Sequence, residues 1–246
     1  EGHIRYNTEN KLVYYSNGTS WLKVSSAITV LSSVTGNIVN GIATNLTLAG
    51  TGFLNDGLIV SFTPSGGSES TVTVTPTSDT AATVAVPSAI YGQSASTVIA
   101  IKATNSDNTV SATINKTVIA APSGGTVTTS GGERIHTFTS SGTFVNTTTL
   151  TNVEYLIIAG GGGGGVANGG GGGGGAGGYR NSFDSETSGG NSSTESKISS
   201  LSAASYSVVV GAGGAGNVHG GSAGSVGVQG SNSSFNSIVS TGGGFG

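Results

Sequence analysis

The chain has 246 residues, 45 of them glycine, with only 8% charged side chains, a formal net charge of −3, one Trp and neither Cys nor Met. Without Cys there can be no disulfide framework, thiolate metal site or cysteine nucleophile, and the eight Lys and Arg residues, scattered from Arg5 to Lys197, form no cationic stripe for phosphates. No apolar run nears the roughly 18 residues of a membrane span, so neither nucleic-acid binding nor membrane insertion is expected.

Residues 1–26 read as a β hairpin module, with short strands around the Asn7 to Asn10 turn and a second turn at Asn17-Gly18. Ile4, Tyr6, Leu12, Tyr14 and Trp21 are more large apolar groups than a solvated hairpin can hide. These five residues are therefore the expected oligomerisation surface.

Residues 27–121 are rich in Thr, Val and Ile, which alternate at Thr71 to Thr75, Thr83 to Val86 and Val98 to Ile101. Period two with β-branched side chains predicts half-buried strands. Turn clusters at Asn55-Asp56-Gly57, Pro64 to Gly67 and Asn105 to Asn108 space them as in an antiparallel β sandwich, with Phe53 and Phe62 in its core and no helix.

Residues 122–246 are of another kind, because 30 of the 45 glycines fall from Gly160 onward. A poly-glycine run has the largest backbone entropy to lose and no side chain to bury, so it can be a flexible linker. The apolar strands Leu156-Ile157-Ile158 and Val208-Val209-Val210 lead into these runs as if to a fixed place, which a linker does not need. The alternative is packed helices of the polyglycine-II kind, with three residues per turn and hydrogen bonds only to neighbours. Gly221, Gly224, Gly227 and Gly230 recur every third residue, as one column of such a helix would. The fold class expected is all-β: hairpin module, immunoglobulin-like sandwich, then strands with a polyglycine-II-like domain.

Catalytic chemistry has little to stand on. His3, His136 and His219 lie apart with no metal-ligand or triad spacing, and the GxGxxG matches within the runs precede no helix pattern. No enzyme activity, metal or cofactor is expected. Recognition falls to the loops that interrupt the glycine, chiefly Tyr179 to Lys197, where Tyr179, Arg180, Phe183, Asp184, Glu186 and Asn191 offer an aromatic face beside amide and charged groups. His219 is a weaker candidate of the same type.

Three stretches also resemble known families. Ile4-Arg5-Tyr6-Asn7, Tyr14-Tyr15, Asn17-Gly18 and Trp21 resemble a short module of tailed-bacteriophage fibre and appendage proteins. Asn45 to Phe53, with Val60-Ser61-Phe62, resembles an IPT/TIG immunoglobulin-like domain. Phe138, Gly142-Thr143-Phe144, Val153 to Gly165, Ala176 to Tyr179, Tyr206 to Gly214 and Asn232 to Phe235 resemble the glycine-rich domain near the ends of phage tail fibres. The resemblances imply a homotrimeric structural protein on the virion exterior, extracellular; a start at Glu1 without an initiator Met and a stop inside a glycine-rich stretch read as a segment of a longer protein. Its partners would be other virion tail or baseplate proteins and a host surface glycan or outer-membrane protein. A bacterial extracellular adhesin or filament subunit is the alternative.

Overall fold

The computed structural model describes residues 2–9, 12–23, 28–54, 57–167, 170–217 and 225–246. His219, Gly221 and Gly224, the Asn55-Asp56 turn and the side chain of Leu12 lie outside the described residues. The fold is all-β, in two compact units, residues 1–121 and 122–246.

The N-terminal strands are β1 (Ile4–Asn7), β2 (Leu12–Ser16) and β3 (Trp21–Lys23), paired antiparallel in that order. The expected hairpin is thus a three-stranded meander. The Asn17 carboxamide oxygen accepts the N–H groups of Thr19 and Ser20, and Gly18 takes the positive φ of 92° that reverses the chain. This turn is tight enough to bring Trp21 back opposite Ser16.

The sandwich is built from β4 (Val30–Thr35), β5 (Ile38–Val39), β6 (Asn45–Thr51), β7 (Leu58–Pro64), β8 (Ser70–Val74), β9 (Ala81–Ala85), helix α1 (Ser88–Tyr91), β10 (Val98–Asn105) and β11 (Ile114–Ile119). One sheet has the order β4-β6-β9 and the other β5-β11-β10-β7-β8. Their inner faces share one core containing Leu46, Leu48, Phe53, Val60, Phe62, Val84, Ile99 and Ile101. Alternation decides which side chains enter it: in β6, Leu46 and Leu48 are buried while their neighbours are exposed. Phe53 and Phe62 are both enclosed, as expected. Gly50 lets Phe53 fold back over the strand, since a Cβ there would overlap the Val30 carbonyl oxygen and stand 2.7 Å from the Phe53 ring. The helix α1 is a correction to the reading without helices; one turn behind Pro87 is too short to show a 3.6-residue period, and Ile90, buried, and Tyr91, partly buried, anchor it to the core.

In the second unit, the strands are β12 (Thr126–Ser130), β13 (Glu133–Thr137), β14 (Gly142–Asn146), β15 (Leu150–Val153), β16 (Leu156–Ile158), β17 (Tyr179–Asn181), β18 (Ile198–Leu201), β19 (Ala204–Val209), β20 (Ser233–Phe235) and β21 (Ile238–Ser240). The largest sheet is β14-β19-β20-β21, and β12-β13, β15-β18 and β16-β17 are pairs. Phe144, Leu201 and Val208 form a small core, with Phe235 set edge-on against Phe144 at 5.8 Å between ring centroids. The strands leading into glycine are less buried than their composition suggests. Ile157 and Val208 are enclosed, but Leu156, Ile158 and Val209 face outward, as period two requires of a strand with one covered face.

Candidate functional site

The glycine runs are packed. Five extended segments, residues 159–166, 170–178, 211–217, 225–231 and 241–246, lie side by side as glycine strands one to five. Strand one donates to strand two from Ala159, Gly162 and Gly165, and to strand four from Gly160, Gly163 and Val166. Every partner recurs at three residues, the repeat of a polyglycine-II helix, and none of the glycines in these segments has a positive φ. Strand three donates to strand one from Gly214 and Asn217, and strand five does so from Gly243 and Gly246. Strand one therefore runs through the middle of the other four.

The β strands set the register of this array. The antiparallel pairing of β16 with β17, Ile158 opposite Tyr179, continues without a slip as Ala159 to Gly178, Gly162 to Gly175 and Gly165 to Gly172. Likewise, β20 and β21 pair Ser233 with Ser240, and the same register carries on into Gly230 to Gly243 and Gly227 to Gly246. Glycine strands alone could slip, because no side chain distinguishes one register from the next. Close approach explains the glycine: Cβ atoms on Gly160, Gly163, Gly174, Gly227 or Gly230 would overlap a neighbouring carbonyl oxygen.

The candidate recognition loop leaves the second glycine strand at Tyr179 and is tied down by a residue that the sequence reading passed over. Glu195 accepts from Arg180 Nε at 3.0 Å and Nη2 at 2.5 Å, from the Tyr155 hydroxyl at 2.8 Å and from Ser188 Oγ at 2.9 Å. The Arg180 hydrogen bonds, helped by those from Tyr155 and Ser188, hold the Glu195 carboxyl down at about 2 against the opposing effect of burial. Burial and then the neighbouring Glu195 push the Tyr155 hydroxyl up. Arg180 also donates from Nη1 to the Val239 carbonyl, so its guanidinium serves the loop's own structure. Lys197 pairs with Glu154. No local pattern joins Arg180 to a carboxylate 15 residues away, which is why the reading missed it.

Of the other candidates, Phe183, Asp184 and Glu186 sit together and exposed at the loop tip, where Glu186 N–H bonds to the Phe183 carbonyl. Asp184 and Asn191 are exposed with φ of 46° and 61°. Tyr179 is half-buried in β17, and its carbonyl accepts from Ser188 Oγ. His219 lies outside the described residues.

The expected oligomerisation residues separate onto two faces of the N-terminal sheet. Ile4 opposite Tyr15 and Tyr6 opposite Val13 make one face, all four exposed, with Ile4 at 75%. Tyr14 and Trp21 lie on the other, where the Arg5 guanidinium sits 5.6 and 4.6 Å from their ring centroids. The side chain of Leu12 lies outside the described residues.

His136 packs edge-on against Phe144, and its Nδ1 lies 2.8 Å from the Gly124 carbonyl oxygen. Among the described residues no group of three or more His, Asp or Glu residues could hold a metal ion, and no helix is long and apolar enough to cross a membrane.

Compared with known proteins, residues 136–246 match the family model of a glycine-rich domain. That stretch holds all five glycine strands and the loop from Tyr179 to Lys197. No curated protein and no solved structure matches the chain.

Proposed function

We propose that this chain is a structural segment of a tail fibre or tail appendage of a tailed bacteriophage, acting outside the cell in host attachment by binding and without chemistry. The observation that carries the reading is the glycine array with its register set by β strands: a body held together backbone to backbone that presents the Phe183-Asp184-Glu186 loop tip to solvent. A body of this kind has little to offer a reaction, and a loop on a stiff scaffold is suited to recognition. The sandwich serves as an immunoglobulin-like spacer of the IPT/TIG kind, and the N-terminal sheet, with its exposed Ile4, Tyr6, Val13 and Tyr15, as the fibre module through which copies join as a homotrimer. The partners are virion tail proteins on one side and a host surface glycan or outer-membrane protein on the other.

Antibody against the purified chain tests this reading on virions that contain it. Decoration of the tail appendages, together with slowed adsorption in excess free chain, is the expected result. Labelling of the bacterial surface, with none on the virion, would instead support a bacterial adhesin or filament subunit.

A further inference from the structure

Among the described residues, the glycine array is complete on one side and bare on the other. Strand two bonds to strand five, five to four and four to three, so an unbroken arc of four neighbours surrounds strand one. A helix with three residues per turn sends its N–H and C=O groups out in six rows, and four of these meet the arc. Among the described residues nothing accepts from the N–H of Gly161 or Gly164, and nothing donates to the C=O of Gly162 or Gly165. These two rows fall on the side between strands two and three.

Steric needs of the fold account for Gly164, whose Cβ would stand 3.0 Å from the Gly172 carbonyl oxygen, but not for most of the glycines on that side. A Cβ on Gly161 would come no nearer than 3.6 Å to any described atom, and on Gly213 or Gly216 no nearer than 3.7 Å. Gly170 and Gly173 of strand two have nothing within 4 Å, and these two, with Gly213 and Gly216, are exposed. Most other outward positions of the array carry side chains, as Ala212, Ala215, Val226, Val228, Gln229 and Phe245 do, Gly244 being an exception, while Ala176 is the one side chain in the row of Gly170 and Gly173. Glycine where the fold has room for a methyl group only adds to the entropy lost on folding. Its retention along one face implies a neighbour that comes close.

We propose that this bare face packs on the same face of a second copy of the chain, glycine strand against glycine strand. A backbone without Cβ atoms and with the same three-residue repeat can approach closely enough to answer both rows, and this chain's own strands have both properties. The face carries donors and acceptors together, so it is self-complementary, as a twofold interface must be. Pairing gives Gly161 and Gly164 acceptors and Gly162 and Gly165 donors. It uses a surface separate from the N-terminal sheet, and in a threefold assembly it joins two trimers. The inference concerns self-association alone and stands apart from any role in host attachment.

Sedimentation of the full chain at micromolar concentration tests it, with protease resistance as the check on folding. Gly161→Val should lower the mass of the assembly to about half that of wild type while resistance is kept, and Gln229→Val, on strand four across the array, should leave the mass unchanged. If Gly161→Val loses resistance, Gly213→Val is read in its place, because its position is more open. A wild-type assembly with an odd number of copies, or a folded bare-face variant of unchanged mass, overturns the proposal.

Discussion

Gly163 and Gly227 are neighbours at the centre of the glycine array, where a methyl group on Gly227 would overlap the Gly163 carbonyl oxygen while Gly163 N–H bonds to the adjoining Val228 carbonyl at 2.8 Å. The contact is backbone on backbone. It shows how a segment that buries no side chain can still be ordered: hydrogen bonds at every third residue replace side-chain packing, and the absence of Cβ lets the chains come close enough to make them.

Truncation of Phe53 should unfold the sandwich well below its normal melting temperature. The ring is enclosed in the core between the two sheets, and Phe→Ala at such sites costs about 3–5 kcal/mol. Calorimetry on Phe53→Ala measures this directly. A loss under about 1 kcal/mol would mean that the ring is not packed as described.

The loop from Tyr179 to Lys197 should loosen in acid. The folded Glu195 carboxyl is held at about 2 by Arg180, below the roughly 4.3 of a free glutamate, so its contribution to stability is complete above that range and is lost as pH falls from about 4 toward 2. Proteolysis of the 182–194 stretch by an acid protease should accelerate across this window. In Glu195→Gln the acceleration should vanish, because the fast rate is already reached near neutral pH; an unchanged profile would show that another carboxylate governs the loop.

Lysine on the open face of the N-terminal sheet should disperse the assembly. Ile4 and Tyr6 are exposed on one face, so the double variant Ile4→Lys, Tyr6→Lys should keep its fold but fall to about one third of the wild-type mass by light scattering. The corresponding change at Tyr14 should act differently, by removing a ring that the Arg5 guanidinium faces. Equal masses for wild type and the double variant would exclude this face from assembly.

Receptor contact predicts a sharper contrast within the loop. Alanine at Phe183, Asp184 and Glu186 should slow adsorption about tenfold or more without altering protease resistance, since these side chains point to solvent. Arg180→Ala should lower resistance as well, because it breaks the contacts to Glu195. If the triple variant adsorbs normally, the loop tip is not the contact surface.

Much of this was legible in the sequence. Alternation at Thr71 to Thr75 and Val98 to Ile101 located β8 and β10, and glycine every third residue at Gly227 and Gly230 marked the positions that turn toward strand one. Other features depend on contacts that local pattern does not carry. Glu195 is distant from Arg180 in sequence, α1 is a single turn, and Val13 and Tyr15 join Ile4 and Tyr6 only through the strand register. The two faces of the N-terminal sheet became distinct only when that register was known. The bare face of the array could not be read at all from composition, since glycine looks the same whether a neighbour excludes its Cβ or not.

The most direct test of the packed array is a pair of adjacent substitutions in the second glycine strand. A Cβ at Gly174 would overlap the Gly162 carbonyl oxygen, whereas one at Gly173 would meet nothing within 4 Å. At a dilution where copies of the chain are apart, Gly174→Ala should therefore lower the melting temperature of the glycine unit by several degrees and open residues 170–178 to protease, while Gly173→Ala leaves both near wild type. Equal tolerance of the two substitutions would contradict the array and return the run to a flexible linker.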